Sequence, residues 1–96
     1  MLEKVKLALR ISHKLLDEDI KETIDAARAD MKRSGISNVM AESEEDPLII
    51  RAIKTYCLAV YSSDSKMAEG YQVSWEYQLD NLRKSSYYME SGDSSE

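Results

Sequence analysis

Asp46-Pro47-Leu48-Ile49-Ile50-Arg51-Ala52-Ile53-Lys54-Thr55-Tyr56-Cys57-Leu58-Ala59-Val60-Tyr61 is the most apolar stretch of the chain, and both of its ends carry start and stop chemistry. The Asp46 side chain can accept hydrogen bonds from the free amides of a first helical turn, and Pro47 suits the first helical position, where a missing N–H costs nothing. At about 100° per residue, Arg51, Lys54, Thr55 and Leu58 fall on one narrow strip, while Ile49, Ile50, Ile53, Tyr56, Cys57 and Val60 cover most of the remaining circumference. The spacing therefore predicts a helix with one strip toward water and the rest covered. A strand is the competing reading, since Ile, Val and Tyr favour sheets. The run is too long for a typical strand, its charges do not alternate, and Ser62-Ser63-Asp64 ends it.

Working outward toward the N-terminus, Leu2, Val5 and Leu9 recur at helical spacing, with Leu7, Ala8 and Ile11 widening the apolar side. A short first helix over residues 1–11 is expected, then a connection from Ser12 to Leu16. Asp17 opens a second helix, with Glu18 and Asp19 in its first turn complementing the positive end of the helix dipole. Leu16, Ile20, Ile24, Ala27 and Met31 form its apolar stripe; Lys21, Glu22, Asp25, Arg28 and Lys32 take the other sides. Gly35 suits the left-handed residue that closes a helix, which lets Ile36 fold back on the last turn. Ser37 to Asp46, with Glu42, Glu44, Glu45 and Asp46, reads as a solvated acidic loop. Its carboxylates lack the offsets and turn glycine of a calcium loop.

Toward the C-terminus, Asp64 or Ser65 can cap a further helix running to about Arg83. Met67, Tyr71, Trp75, Gln78, Leu79 and Leu82 share about a third of its circumference and are the natural cover for the central helix. Val73 and Tyr77 point the opposite way and have no partner inside so small a domain. Tyr87 and Tyr88 either extend this helix or await a partner that orders them. Val73, Tyr77, Tyr87 and Tyr88 are thus the candidate subunit or partner interface. Residues 1–89 are expected to form one helical domain and 90–96 a disordered tail.

The totals agree with an all-α fold: a small bundle of about four helices around a central buried one. A chain of 96 residues with three glycines and one proline has little of the punctuation of a β protein. It buries only about 60–65 % of its unfolded surface, so oligomerisation would add much to its stability. A net charge of −5 and the absence of a basic stripe oppose binding by phosphate neutralisation. The best cationic cluster, Arg28, Lys32 and Arg33, is offset by Asp25 and Asp30, which weakens the alternative of a small helical DNA-binding regulator or packaging factor. His13 is the only histidine, and no catalytic, metal or cofactor set can be picked out by spacing. The single Cys57 faces the expected core as a small hydrophobe. No signal peptide and no membrane-length apolar run is visible, so the chain is expected to be cytosolic where it is made.

Three stretches in this order resemble the phage head-tail connector, or adaptor, proteins, also labelled putative phage DNA packaging proteins. The first is Leu2-Glu3-Lys4-Val5-Lys6 with Leu9-Arg10-Ile11, running through Asp17-Glu18-Asp19-Ile20, Ile24 and Ala26-Ala27-Arg28 to Ser34-Gly35-Ile36. The second is Asp46 to Tyr56, and the third is Tyr71, Ser74 and Leu82. The resemblance implies a non-enzymatic helical subunit without cofactors, assembled as a homo-oligomeric ring between the capsid portal and the tail or stopper protein. DNA would pass through the lumen without sequence-specific binding. The protein would reside in the virion at the head-tail junction, and in the host cytoplasm during assembly. The Ser37 to Asp46 loop and the segment after Ser85 depart from the pattern, and the portal-facing and tail-facing contacts are not carried onto them.

Overall fold

In a computed structural model, residues 1–90 are described. Five helices follow in order: α1 (Leu2–Leu9), α2 (Asp17–Arg33), α3 (Asn38–Ala41), α4 (Pro47–Tyr61) and α5 (Ser65–Arg83). Among the described residues there is no strand, only an isolated antiparallel bridge between Ile36 and Met89. Residues 91–96, most of the tail expected to be disordered, lie outside the described set.

The start signals of α4 and α5 act as their chemistry dictates. Asp46 accepts from the amides of Leu48 and Ile49, both at 3.2 Å, with Pro47 opening α4. Asp64 accepts from those of Lys66 and Met67 at 2.9 and 3.0 Å. The end of α2 is a Schellman closure: Gly35 adopts φ +101°, its amide donates to Lys32 O and the amide of Ile36 to Met31 O. Ile36 is thereby tucked into the core beside Met31.

α1 is shorter than the apolar pattern predicts. It ends at Leu9 because Arg10 turns left-handed, with φ 61°, and the amides of Arg10 and Ile11 fold back onto Leu7 O and Lys6 O. A left-handed non-glycine residue costs about 1–2 kcal/mol. Leu7, expected on the covered side, is 80 % exposed.

α4 is the centre of the bundle and packs against α1, α2 and α5. With extents of 47 × 26 × 19 Å, the molecule is about two helix diameters thick, so only a helix in the middle can be covered on most sides. Ile49, Ala52, Ile53 and Cys57 are completely buried. The strip expected to face water does so only in part: Arg51 is exposed, while Thr55 is buried and Leu58 partly covered along the track of α5. After a three-residue connection, α5 runs back along α4, so that Leu58 lies beside Met67 and Tyr71, and Arg51 beside Gln78, Asn81 and Leu82. Thr55, in the middle of that strip, is buried and returns its hydroxyl to Arg51 O at 3.0 Å, which removes the cost of covering it. Val60, expected to be covered, is exposed. Tyr56 and Trp75 meet edge to face at 4.8 Å and lock the two helices in register.

Cys57 is fully buried, and burial pushes its thiol up to about 12 from an ordinary 9.0. A raised folded-state pKa stabilises the fold below the unfolded value and loses that contribution as pH rises through the folded one. We expect unfolding free energy to fall between pH 9 and 12 with a slope approaching ~1.4 kcal/mol per pH unit from this thiol alone. Urea titrations of wild type and Cys57→Ala across that range check it, because the variant's alkaline decline should be shallower by that amount. Equal slopes would show that the thiol does not titrate with unfolding.

Candidate assembly surface

α5 has two faces of different kinds. Trp75 and Leu82 are buried against α4, with Tyr71, Gln78 and Leu79 partly covered beside them. Half a turn away, Val73 and Tyr77 are 65 % and 69 % exposed, one helical turn apart and adjacent on the surface. Around the C-terminal half of α5, Leu48, Arg51, Tyr77, Gln78, Asn81 and Tyr88 border a groove of about 400 Å³ that continues this face toward α4. Leu48 is a member that the sequence pattern did not mark, since its neighbours on α4 are core residues.

The two candidate tyrosines after α5 separate. The chain neither extends the helix nor hangs free; it turns back across the end of α2. Ser37 donates its amide to Tyr88 O at 2.8 Å, and Glu90 donates its amide to Gly35 O at 2.9 Å. Tyr88 is buried, and its hydroxyl donates to the capping carboxylate of Asp46 at 2.9 Å; burial, and after it this hydrogen bond, pushes its phenol up to about 12. Tyr87 stays exposed and stacks edge to face on Tyr88, with ring centroids 5.0 Å apart. Of the four candidate interface residues, Val73, Tyr77 and Tyr87 therefore present side chains to the outside, while Tyr88 braces the start of α4 from within.

The acidic segment before α4 keeps Glu42, Glu44 and Glu45 exposed, as its composition suggests, but it is tied to the bundle rather than loose. Ser37 caps α3 by accepting from the Met40 amide at 3.2 Å, and the segment after α3 folds onto α2. Arg28 reaches into it from α2, nearly buried, donating to Ala41 O at 2.7 Å, Ser43 O at 3.1 Å and the Glu44 carboxylate at 2.7 Å. Lys32 pairs with Glu42, and the Met1 amino group with Glu44 at 2.6 Å. The hydrogen bond from that amino group, with the nearby charges of Arg28 and Lys4, holds the Glu44 carboxyl below its usual range. Arg33 pairs with Asp30. The cationic cluster that offered the best footing for DNA is thus engaged within the chain.

Among the described residues, no group of three His, Cys, Asp or Glu side chains could hold a metal ion. No helix among them is long and apolar enough to cross a membrane. His13 sits in the connection after α1, accepting from the Leu15 amide at 3.2 Å through Nδ1. What the surface offers is contact area: an apolar face on the longest helix, bordered by aromatic rings.

A family model described as phage connector protein matches residues 1–89. The chain belongs to the phage connector protein family. No curated protein and no solved structure matches the connector. The match extends over all five helices and includes both segments that depart from the resembling pattern, the acidic segment and the return after α5.

Proposed function

We propose that this connector is a structural, non-catalytic subunit of the virion that assembles into a homo-oligomeric ring at the head-tail junction, between the portal and the tail or stopper protein. The ring would leave a lumen through which DNA passes without sequence-specific binding. The observation that carries this reading is the match to the connector family over 1–89. The exposed Val73 and Tyr77 face supports self-association, because an apolar pair on the side of α5 away from the core gains burial only against another molecule. The net charge of −5 supports a passage rather than a grip, since a negative surface repels phosphate. Assembly would precede attachment to the capsid, in the host cytoplasm.

Light scattering coupled to size-exclusion chromatography, followed by electron microscopy of the peak, tests the reading. Annular particles of ring-sized mass are expected from the wild type. Val73→Glu with Tyr77→Glu should leave the helical spectrum and melting temperature within a few degrees of wild type, since both sites are exposed, yet abolish the particles. Normal rings from the double variant would remove this face from the interface. Salt-sensitive DNA binding by a monomer would turn the assignment toward a regulator or packaging factor.

A further inference from the structure

A second exposed stretch, the link between α1 and α2, carries charge opposite to that of the middle of α5. The link from Arg10 to Leu16 carries Arg10 and Lys14 and no carboxylate. Leu15 within it is 88 % exposed, and Leu7, on the last turns of α1, is 80 % exposed. The link is held in shape rather than loose. Arg10 is left-handed with its own and the next amide bonded back to α1, His13 accepts from the Leu15 amide, and the buried Lys6 ion-pairs with Asp17 at 2.8 Å, clamping the two ends together. On α5 the run from Met67 to Leu79 carries Glu69 and Glu76 and no cation. Among the described residues Glu76 accepts only from Gln72, at 3.2 Å, and neither Arg10 nor Lys14 is in an ion pair.

Resting on the ring reading above, we propose that the Val73 and Tyr77 face of one subunit seats against the Arg10 to Leu16 link of the next copy, Leu7 and Leu15 covering the apolar pair and Arg10 and Lys14 facing Glu69 and Glu76. Pairing of the α5 face with itself would set Glu69 and Glu76 against their own kind across the contact, which opposes association. Pairing with the link joins two different surfaces, and such a contact repeats head to tail and closes into a ring when its rotation permits. The fixed link reduces the ordering cost of the contact.

Two measurements test this. In mixtures of Val73→Cys and Leu15→Cys chains treated with a short bismaleimide, the buried Cys57 stays silent and the cross-link forms between the two variants, with neither variant cross-linking to itself. Glu69→Lys with Glu76→Lys, and separately Arg10→Glu with Lys14→Glu, should each raise the concentration needed for assembly by about tenfold or more at low salt. Mixing the two restores it, since each then meets an opposite face. Cross-linking of Val73→Cys to itself alone, or rings formed undiminished by both charge variants, overturns this contact and leaves the ring reading standing. A wild type that remains monomeric at every concentration overturns both.

Discussion

Ile53→Asp unfolds the subunit. Ile53 lies in the middle of α4, completely buried, with α1, α2 and α5 all packed on that helix. Losing the isoleucine removes roughly 2–3 kcal/mol of apolar burial. Introducing a carboxylate there adds several kcal/mol more, whether it stays ionised without a partner or is forced to take up a proton. A chain of this size holds about 5–15 kcal/mol in total, and its two-layer shape places it toward the lower end of that range. The sum exceeds or exhausts the margin. Circular dichroism at neutral pH should show the loss of cooperative melting, whereas Ile53→Val, which leaves only a methyl-sized gap, should cost about 1 kcal/mol and keep it. An Asp variant that melts cooperatively within a few degrees of wild type would mean that α4 is not the centre of the core.

The prominence of α4 was legible because three independent signals coincide in one stretch: a capping aspartate, a proline at the first position and a long apolar run. The same holds for the end of α2, where a glycine stands at the one position requiring positive φ. What stayed hidden has physical causes. The closure of α1 uses a left-handed Arg10, and a residue type that seldom adopts that conformation gives no sign that it does so. Thr, Lys and Arg count as polar and so place this strip of α4 toward water, where Arg51 indeed lies, yet Thr55 satisfies itself on its own helix and Leu58 lies partly covered beside α5. The spacing on α5 turns Trp75, Gln78, Leu79 and Leu82 toward α4, but Met67, expected on the same covered face, is 53 % exposed because it lies in the first turn, near the open end of the helix pair. The fate of Tyr88 was not legible, since its partner Asp46 lies 42 positions earlier and hydrogen bonds between distant residues leave no local pattern. The acidic segment is the same case. Its charges could be counted in the sequence, but their neutralisation depends on the return of the chain across α2.

That neutralisation makes Arg28 the second residue whose loss should be felt throughout the subunit. Arg28→Met keeps the aliphatic stem and most of the volume, so the change is confined to the guanidinium. Two of its contacts end on carbonyls that have no ready substitute, that of Ala41, itself fully buried, and that of Ser43, while the third, the half-exposed Glu44 carboxylate, keeps the Met1 amino group. Replacing a whole buried ion pair by apolar groups is often harmless, but removing one partner leaves the others desolvated and unpaired. An unsatisfied buried acceptor costs about 1–3 kcal/mol. We therefore expect Arg28→Met to lower the unfolding free energy by ~3 kcal/mol in urea titration, with Arg28→Lys recovering only part, because one ammonium cannot reproduce the fork that spans two carbonyls and a carboxylate. The defect should be local before it is global. Amide exchange over 38–45 should accelerate more than that of α4 or α5, since this side chain and the Lys32 pair are the polar ties of that segment to α2. Because Arg28 is nearly buried, the difference between variant and wild type should persist in molar salt, where the exposed pairs of Lys21 with Glu18 and Lys84 with Asp80 are screened. A loss below about 1 kcal/mol, or one that vanishes with salt, would show that water replaces the guanidinium freely and that the acidic segment is held by something else.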